Sequence, residues 1–205
     1  MPTGVPLSRR PSPALHVLIL AAGGSTRFGS PKALTRLEGR PLIQHVVARA
    51  LAVGGQAVTV VVGAHAREIV PAIGSAPVGL VVNREWDTGM SSSIRAGVER
   101  LPGSCAAVMI MLVDQPLVGI DSLRRLVAVW SARPKEIVAA QYAGHCGVPA
   151  IFPRWSFAEL RQLRGDTGAR LLLHRHADRT VAVPMPEAAV DIDTPEDLLN
   201  VGEIP

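Results

Sequence analysis

Aromatic side chains are scarce in this chain, which has three Trp, three Phe and one Tyr in 205 residues. Trp86, Trp130 and Trp155 are scattered, so a stacking platform for single-stranded nucleic acid is not expected. Cysteine is scarcer still. Cys105 and Cys146 lie far apart without metal-ligand spacing, which argues against a disulfide framework or a structural zinc and fits a reducing cytoplasm. No stretch approaches the roughly 18 consecutive apolar residues of a membrane helix. The apolar run at residues 16–22 is too short and too strand-like for a signal peptide. A long basic run is also missing: 21 Lys and Arg stand against 17 Asp and Glu, a formal charge of +4. That balance points to anionic small molecules as ligands and away from a nucleic-acid groove.

What the chain has is aliphatic bulk. Hydrophobic residues make up 48% of it, mostly Val, Leu, Ile and Ala, the mixture of α/β folds whose parallel strands are covered on both faces. The length favours one well-filled domain. Residues 1–13 carry Pro2, Pro6, Pro11 and Pro13 with Arg9 and Arg10, and read as a flexible tail. Beyond it, strand patterns at 16–20, 57–62, 78–82, 106–113 and 136–140 alternate with helical spacing at 41–53, 64–73, 88–101 and 121–131. Ser91 is the expected cap of the 88–101 helix, and Ser92 is read in the same way. The later part shows a strand from Val148, helices at 157–163 and 169–176, short strands at 180–183 and 189–192, and a last helix opened by Pro195. This order implies an α/β fold with a mostly parallel sheet and right-handed crossovers.

The chemistry concentrates at residues 15–37, LHVLILAAGGSTRFGSPKALTRL. A buried strand breaks abruptly into Ala21, Ala22, Gly23 and Gly24, whose small side chains let a ligand touch the backbone and whose amides can converge on phosphate oxygens. Arg27 and Lys32 add two positive charges. Arg forks two donors onto a phosphate, and Lys supplies a mobile point charge. Gly24 and Gly29 have the spacing of a Walker loop, but Ser30-Pro31 follows in place of Lys-Ser/Thr. The dinucleotide pattern G-x-G-x-x-G fails as well. The glycines alone read equally well as a plain connection.

Two carboxylates complete the candidate set. Asp114 ends the most apolar strand, where ligands collect in open α/β sheets, although a turn-forming Asp ahead of Pro116 is the ordinary reading. Asp193 follows residues 189–192 and is otherwise a helix cap. Asp191, two residues earlier, is a weaker candidate on the same side. A divalent ion on a triphosphate uses one or two carboxylates with phosphate oxygens and waters, so Asp114 and Asp193 suit Mg2+. His174 and His176 are too poorly placed for a shared metal and read as solvated, and His16, His45 and His65 have no evident partners.

The string from Leu20 to Lys32 resembles the L-A-A-G-x-x-x-R-[FM]-G-x-x-K signature of the molybdenum cofactor cytidylyltransferase family, within the MobA-like nucleotidyltransferase superfamily. The resemblance implies a single-domain Rossmann-like three-layer sandwich of the nucleotide-diphospho-sugar transferase type. Residues 14–205 would form it, with a nucleotide-binding half at 14–115 and an acceptor-side half at 116–205. It implies catalytic roles for Arg27, Lys32 and Asp114, and nucleotide contacts from Leu20, Ala21, Ala22, Gly23 and Gly24. GMSSSIRAGV, residues 89–98, is similar to the family segment that closes over base and ribose, which adds Gly89 and Ser93. Asp114 and Asp193 would hold the metal. Leu20-Ala21-Ala22-Gly23 has the form that accompanies cytidine nucleotides, so CTP is the implied donor and a molybdopterin-type phosphate the implied acceptor. GHCGVP at 144–149 and RGDTGARLLL at 164–173 are similar to the family's acceptor elements and point to Gly147, Pro149, Asp166 and Arg170, with Val148 in place of the usual His. A molybdenum-dependent hydroxylase is the implied partner protein. Two alternatives stay open at this point: another phosphate acceptor, such as a sugar or alditol phosphate, or GTP as donor; and a non-catalytic carrier of the finished cofactor.

Overall fold

The computed structural model describes residues 14–25, 28–192 and 197. The expected tail at 1–13, Arg27, Asp193 and the helix start at Pro195 lie outside the described residues. In chain order the elements are β1 (Leu15–Ala21), β2 (Arg36–Leu37), β3 (Arg40–Pro41), α1 (Leu42–Gly54), β4 (Val58–Val62), α2 (Ala66–Ile73), β5 (Gly79–Val82) and α3 (Met90–Glu99). There follow β6 (Ala107–Leu112), α4 (Ile120–Ala132), β7 (Ile137–Tyr142), β8 (His145–Pro153), α5 (Phe157–Gln162), α6 (Arg170–Arg175) and β9 (Thr180–Pro184).

Seven strands form one sheet in the order β5-β4-β1-β6-β8-β7-β9, and β2 pairs with β3 in a small ribbon. Pairings of β1 with β4 and β6, of β4 with β5, and of β7 with β9 are parallel. Strand β8 alone runs against its neighbours β6 and β7. Its reversal is local in origin. Tyr142 pairs with His145 across a turn in which Ala143 and Gly144 both have positive φ, the two-residue geometry that matches strand twist in a hairpin.

Side-chain alternation along the central strands builds two cores. From β1, Val17, Ile19 and Ala21 join a cluster with Leu42 and Val46 of α1, Ile69 of α2, and Leu123, Leu126 and Trp130 of α4. Leu18 and Leu20 join the opposite cluster with Ile94 and Val98 of α3, Leu160 of α5 and Leu172 of α6. Helices therefore cover both faces, giving the expected three-layer α/β sandwich. Continuous apolar runs such as Val58–Val62 follow from burial on both sides. Among the described residues, no helix is long and apolar enough to cross a membrane.

Two local expectations are corrected. Ser91 does not cap α3: Gly89 occupies that position, and Ser91 lies inside the first turn with its hydroxyl donating to the carbonyl of Arg164 at 3.2 Å. Ser92 likewise donates to the Gly89 carbonyl, at 2.8 Å, and does not act as a cap. Residues 189–192 are not a strand, because Pro186–Ala189 winds into a 3-10 turn and an irregular segment follows.

Candidate functional site

Strand β1 delivers the glycine turn to the carboxyl edge of the sheet. The Ala22 carbonyl accepts the Ala64 N–H at 3.1 Å, fixing the turn to the segment after β4. Ser25, with φ of 50°, folds the loop back on itself: its carbonyl accepts the N–H groups of Phe28 and Gly29 at 3.0 and 3.2 Å. Its hydroxyl accepts the Lys32 N–H at 3.1 Å. These bonds return Lys32 to the mouth of the sheet. His65 braces the loop from outside, with Nε2 3.3 Å from the Gly24 carbonyl and Nδ1 3.2 Å from Glu68.

Asp114 comes from the end of β6, next to β1. Its carboxylate lies 3.6 Å from the Lys32 ammonium, with side-chain exposures of 23% and 15%, so the pair is only partly screened by water. The following residue anchors the loop. Gln115 is buried and donates to the carbonyls of Val148 at 3.2 Å and Ala188 at 2.9 Å. Arg49 of α1 donates to the Pro116 carbonyl at 2.7 Å, and the Ile192 N–H donates to the Asp114 carbonyl at 2.9 Å. The chain thus passes beside Asp114 immediately before Asp193, which is outside the described residues.

The third wall is the start of α3. Gly89 has φ of 105°, and a Cβ there would come within 2.6 Å of the Gly165 carbonyl and 2.5 Å of Asp166, so only glycine fits. The Ser91 N–H donates to the Gly165 carbonyl at 3.1 Å, clamping the 164–166 turn onto the helix. Buried Asn83 ties this wall together by donating to the hydroxyls of Ser92 at 2.7 Å and Ser93 at 3.0 Å.

These walls enclose a cavity of about 400 Å³. Leu20, Ala21, Ala22, Gly23, Gly24, Lys32, Gly89, Ser93 and Asp114 line it, joined by Asp166 from the expected acceptor segment. Gly147, Pro149 and Arg170 do not. Gly147 packs under the Tyr142 ring, where a Cβ would lie 2.7 Å from Cζ, and Pro149 is buried. The Tyr142 phenol has its pKa pushed up, first by burial and also by the charges of Asp191 and Asp114, while Gln115 and Arg170 pull the other way. Arg170 and Asp191 are therefore close enough to Tyr142 to act on its phenol, as Asp114 is.

Several partners were not legible from the sequence. Asn83, His65 and Gln115 shape the loops, and Trp86, Asp87 and Met90 line the cavity. Trp86 sits three residues before Gly89, which was the available signal. His16 bonds to Thr59 at 2.9 Å and His45 to the Leu37 carbonyl at 2.8 Å. His176 is not simply solvated, since it lies 2.9 Å from Glu159 and packs edge-on to Trp155.

Comparison with known proteins agrees with this geometry. The chain is 32% identical to nicotine blue oxidoreductase of Paenarthrobacter nicotinovorans over 174 residues, 80% of this chain and 83% of that protein. It is 33% identical to bifunctional protein GlmU of Paracidovorax citrulli over 174 residues, covering 82% of this chain and 34% of GlmU, so it spans about a third of that relative. The crystal structure of Rv0371c from Mycobacterium tuberculosis H37Rv superposes with a TM-score of 0.79 at 29% identity, covering 94% of this chain and all of that one. The same protein has also been solved in complex with manganese, with a TM-score of 0.77 at 28% identity, covering 93% of this chain and 100% of that one. The model of the MobA-like NTP transferase domain matches residues 17–180, and with the fold and the loop just described it establishes that the chain belongs to the MobA-like NTP transferase family and is a nucleotidyltransferase.

Proposed function

We propose that this nucleotidyltransferase transfers CMP from CTP to a phosphorylated acceptor of the molybdopterin type and releases pyrophosphate. The observation that carries the reading is the Lys32–Asp114 pair, a cation and a carboxylate 3.6 Å apart at the mouth of one cavity lined by the glycine turn. In this reaction an acceptor phosphate oxygen forms a bond to the α-phosphorus, and the bond from that phosphorus to the bridging oxygen breaks. The acceptor is already an anion at neutral pH, so no general base is required. Alignment and charge neutralisation supply the catalysis.

The donor set fits a divalent metal ion. Among the described residues, no three His, Cys, Asp or Glu side chains gather into a site able to hold a metal unaided. Of the carboxylates that line the cavity, Asp114 stands beside Lys32 and the glycine turn, and a hard cation needs only one or two protein carboxylates when substrate phosphates and waters fill its remaining positions. Asp114, with Asp193, would hold Mg2+, which when bound neutralises phosphoryl oxygens. Lys32 and the turn amides of Ala22 to Gly24 hold the β- and γ-phosphates, with Arg27 as a second cation. Gly89 and Ser93 receive the nucleoside, and Asp166 marks the boundary with the acceptor. Gly147, Pro149 and Arg170 shape the acceptor side through Gln115 and Tyr142. The preference for CTP rests on the L-A-A-G form of the loop.

The test is pyrophosphate release with each nucleoside triphosphate, Mg2+ or Mn2+, and phosphorylated acceptors. Release with CTP and a molybdopterin-type acceptor is the expected outcome. A second reading keeps the fold and takes another phosphate acceptor. It is favoured by Val148, which stands in the place of a family His and whose carbonyl is occupied by Gln115 and Tyr142. Faster release with a sugar or alditol phosphate would select it. The likeness to nicotine blue oxidoreductase sets a control: redox turnover without any nucleoside triphosphate would displace both readings.

A further inference from the structure

In a chain so poor in aromatics, the position of each Trp is informative. Trp130 is buried in the core, and Trp155 lies beneath the Arg179 guanidinium at 4.0 Å. Trp86 is 37% exposed and its surroundings are the cavity shared by Gly23, Lys32 and Asp114. A large apolar ring left facing such a cavity is not explained by packing.

The mount of this side chain is firm. The 3-10 turn Trp86–Thr88 is closed by the Thr88 N–H and hydroxyl, which both donate to the Glu85 carbonyl, at 3.0 and 2.8 Å. The Glu85 N–H in turn donates to Asn83 Oδ1 at 2.9 Å, and Asn83 is fastened to the serines of α3. The Trp86 Cβ rests against Gly63, where an added Cβ would lie only 2.7 Å from it.

Sheet order sets the ring relative to the phosphates. Along the carboxyl edge the strands run β5, β4, β1, β6, so Trp86 over Gly63, the turn at Ala22, and Asp114 stand in a row. From the end of β4 to the end of β6 is two strand spacings, about 10 Å. A nucleoside triphosphate held by its phosphates at Lys32 and Asp114 extends its ring along this row toward the indole.

We propose that the Trp86 indole is the wall on which the nucleobase stacks. The inference rests on the nucleotidyltransferase reading of the same cavity and names the residue that holds the ring. Because every base offers a π-face, Trp86 contributes affinity without choosing among bases, and choice falls to the backbone of Ala21 to Gly23.

Selective excitation of tryptophan in the full chain, during titration with CTP and with inorganic tripolyphosphate, tests this. CTP quenches the emission, tripolyphosphate does not, and W86F abolishes the response because Trp130 and Trp155 lie elsewhere. W86A raises KM for CTP by about 5- to 150-fold, the range of base–aromatic stacking. The increase in KM exceeds any fall in kcat, and inhibition by tripolyphosphate is unchanged. CTP binding without quenching, or a W86A effect confined to the acceptor KM, overturns the assignment to Trp86 and leaves the nucleotidyltransferase reading standing. Failure of the wild-type protein to bind any nucleoside triphosphate overturns both. If W86A does not fold, the quenching comparison between wild type and W86F decides alone.

Discussion

Replacing Lys32 by Ala separates the two things its ammonium does. At 3.6 Å from Asp114 and an effective dielectric of about 20, the gross attraction is roughly 4 to 5 kcal/mol. Desolvation and residual exposure consume most of this, and partly exposed pairs retain about 1 kcal/mol or less. K32A therefore keeps its fold, with a loss of no more than about 1 kcal/mol in a urea titration. Turnover behaves differently. A fixed cation aimed at charge that grows on the departing pyrophosphate needs no rearrangement during the reaction, and removing one such group costs about 100- to 1000-fold in kcat. The assay is pyrophosphate release at saturating CTP, Mg2+ and acceptor, with the urea midpoint measured on the same preparation. K32R, which keeps charge but changes shape, should fall between the two. Wild-type kcat in K32A refutes the role of Lys32, and a large loss of stability refutes the energetic argument.

Three further substitutions address the walls of the cavity and the core. Gly89→Ala places a Cβ 2.5 to 2.6 Å from Asp166 and the Gly165 carbonyl at φ of 105°, so it should cost roughly 2 to 4 kcal/mol and detach the 164–166 turn; urea denaturation and proteolysis near residue 165 measure both. Asn83→Ala removes donors to two buried hydroxyls and should destabilise by about 1 to 3 kcal/mol while raising KM for the nucleotide, read from denaturation and initial rates. Burial holds the His16 imidazole below its ordinary pKa, so the unfolded chain binds the extra proton first on acidification. Stability from this site is complete above about pH 6.5 and declines as the pH falls toward the folded value; H16Q should show a shallower decline in urea midpoint between pH 7.5 and 5.5.

The inner strands could be read from sequence because burial on both faces leaves no room for polar alternation, as in β1, β4 and β6. The direction of β8 could not be read that way, since periodicity is blind to polarity; the informative residues were Ala143 and Gly144. A run of three serines invited a cap at Ser91, but the chain turns earlier, at Gly89, where positive φ outweighs the preference for a hydroxyl. In the site, Gly23, Gly24, Lys32 and Asp114 were legible because each is marked by its neighbours. Gln115 was not: its partner Ala188 is 73 residues away, and no local pattern records a bond of that separation. Trp86 was read as scattered because sequence spacing does not show which loops meet.

That single amide of Gln115 has a practical consequence for anyone shortening the protein. The family match stops at residue 180, which makes it a tempting place to cut. A chain ended there would retain Lys32 and Asp114 yet forfeit the carbonyl of Ala188 and the amide of Ile192, two of the moorings of the aspartate loop. The segment from Pro186 to Ile192 works as a buckle, and its removal would leave the acid present but unaimed.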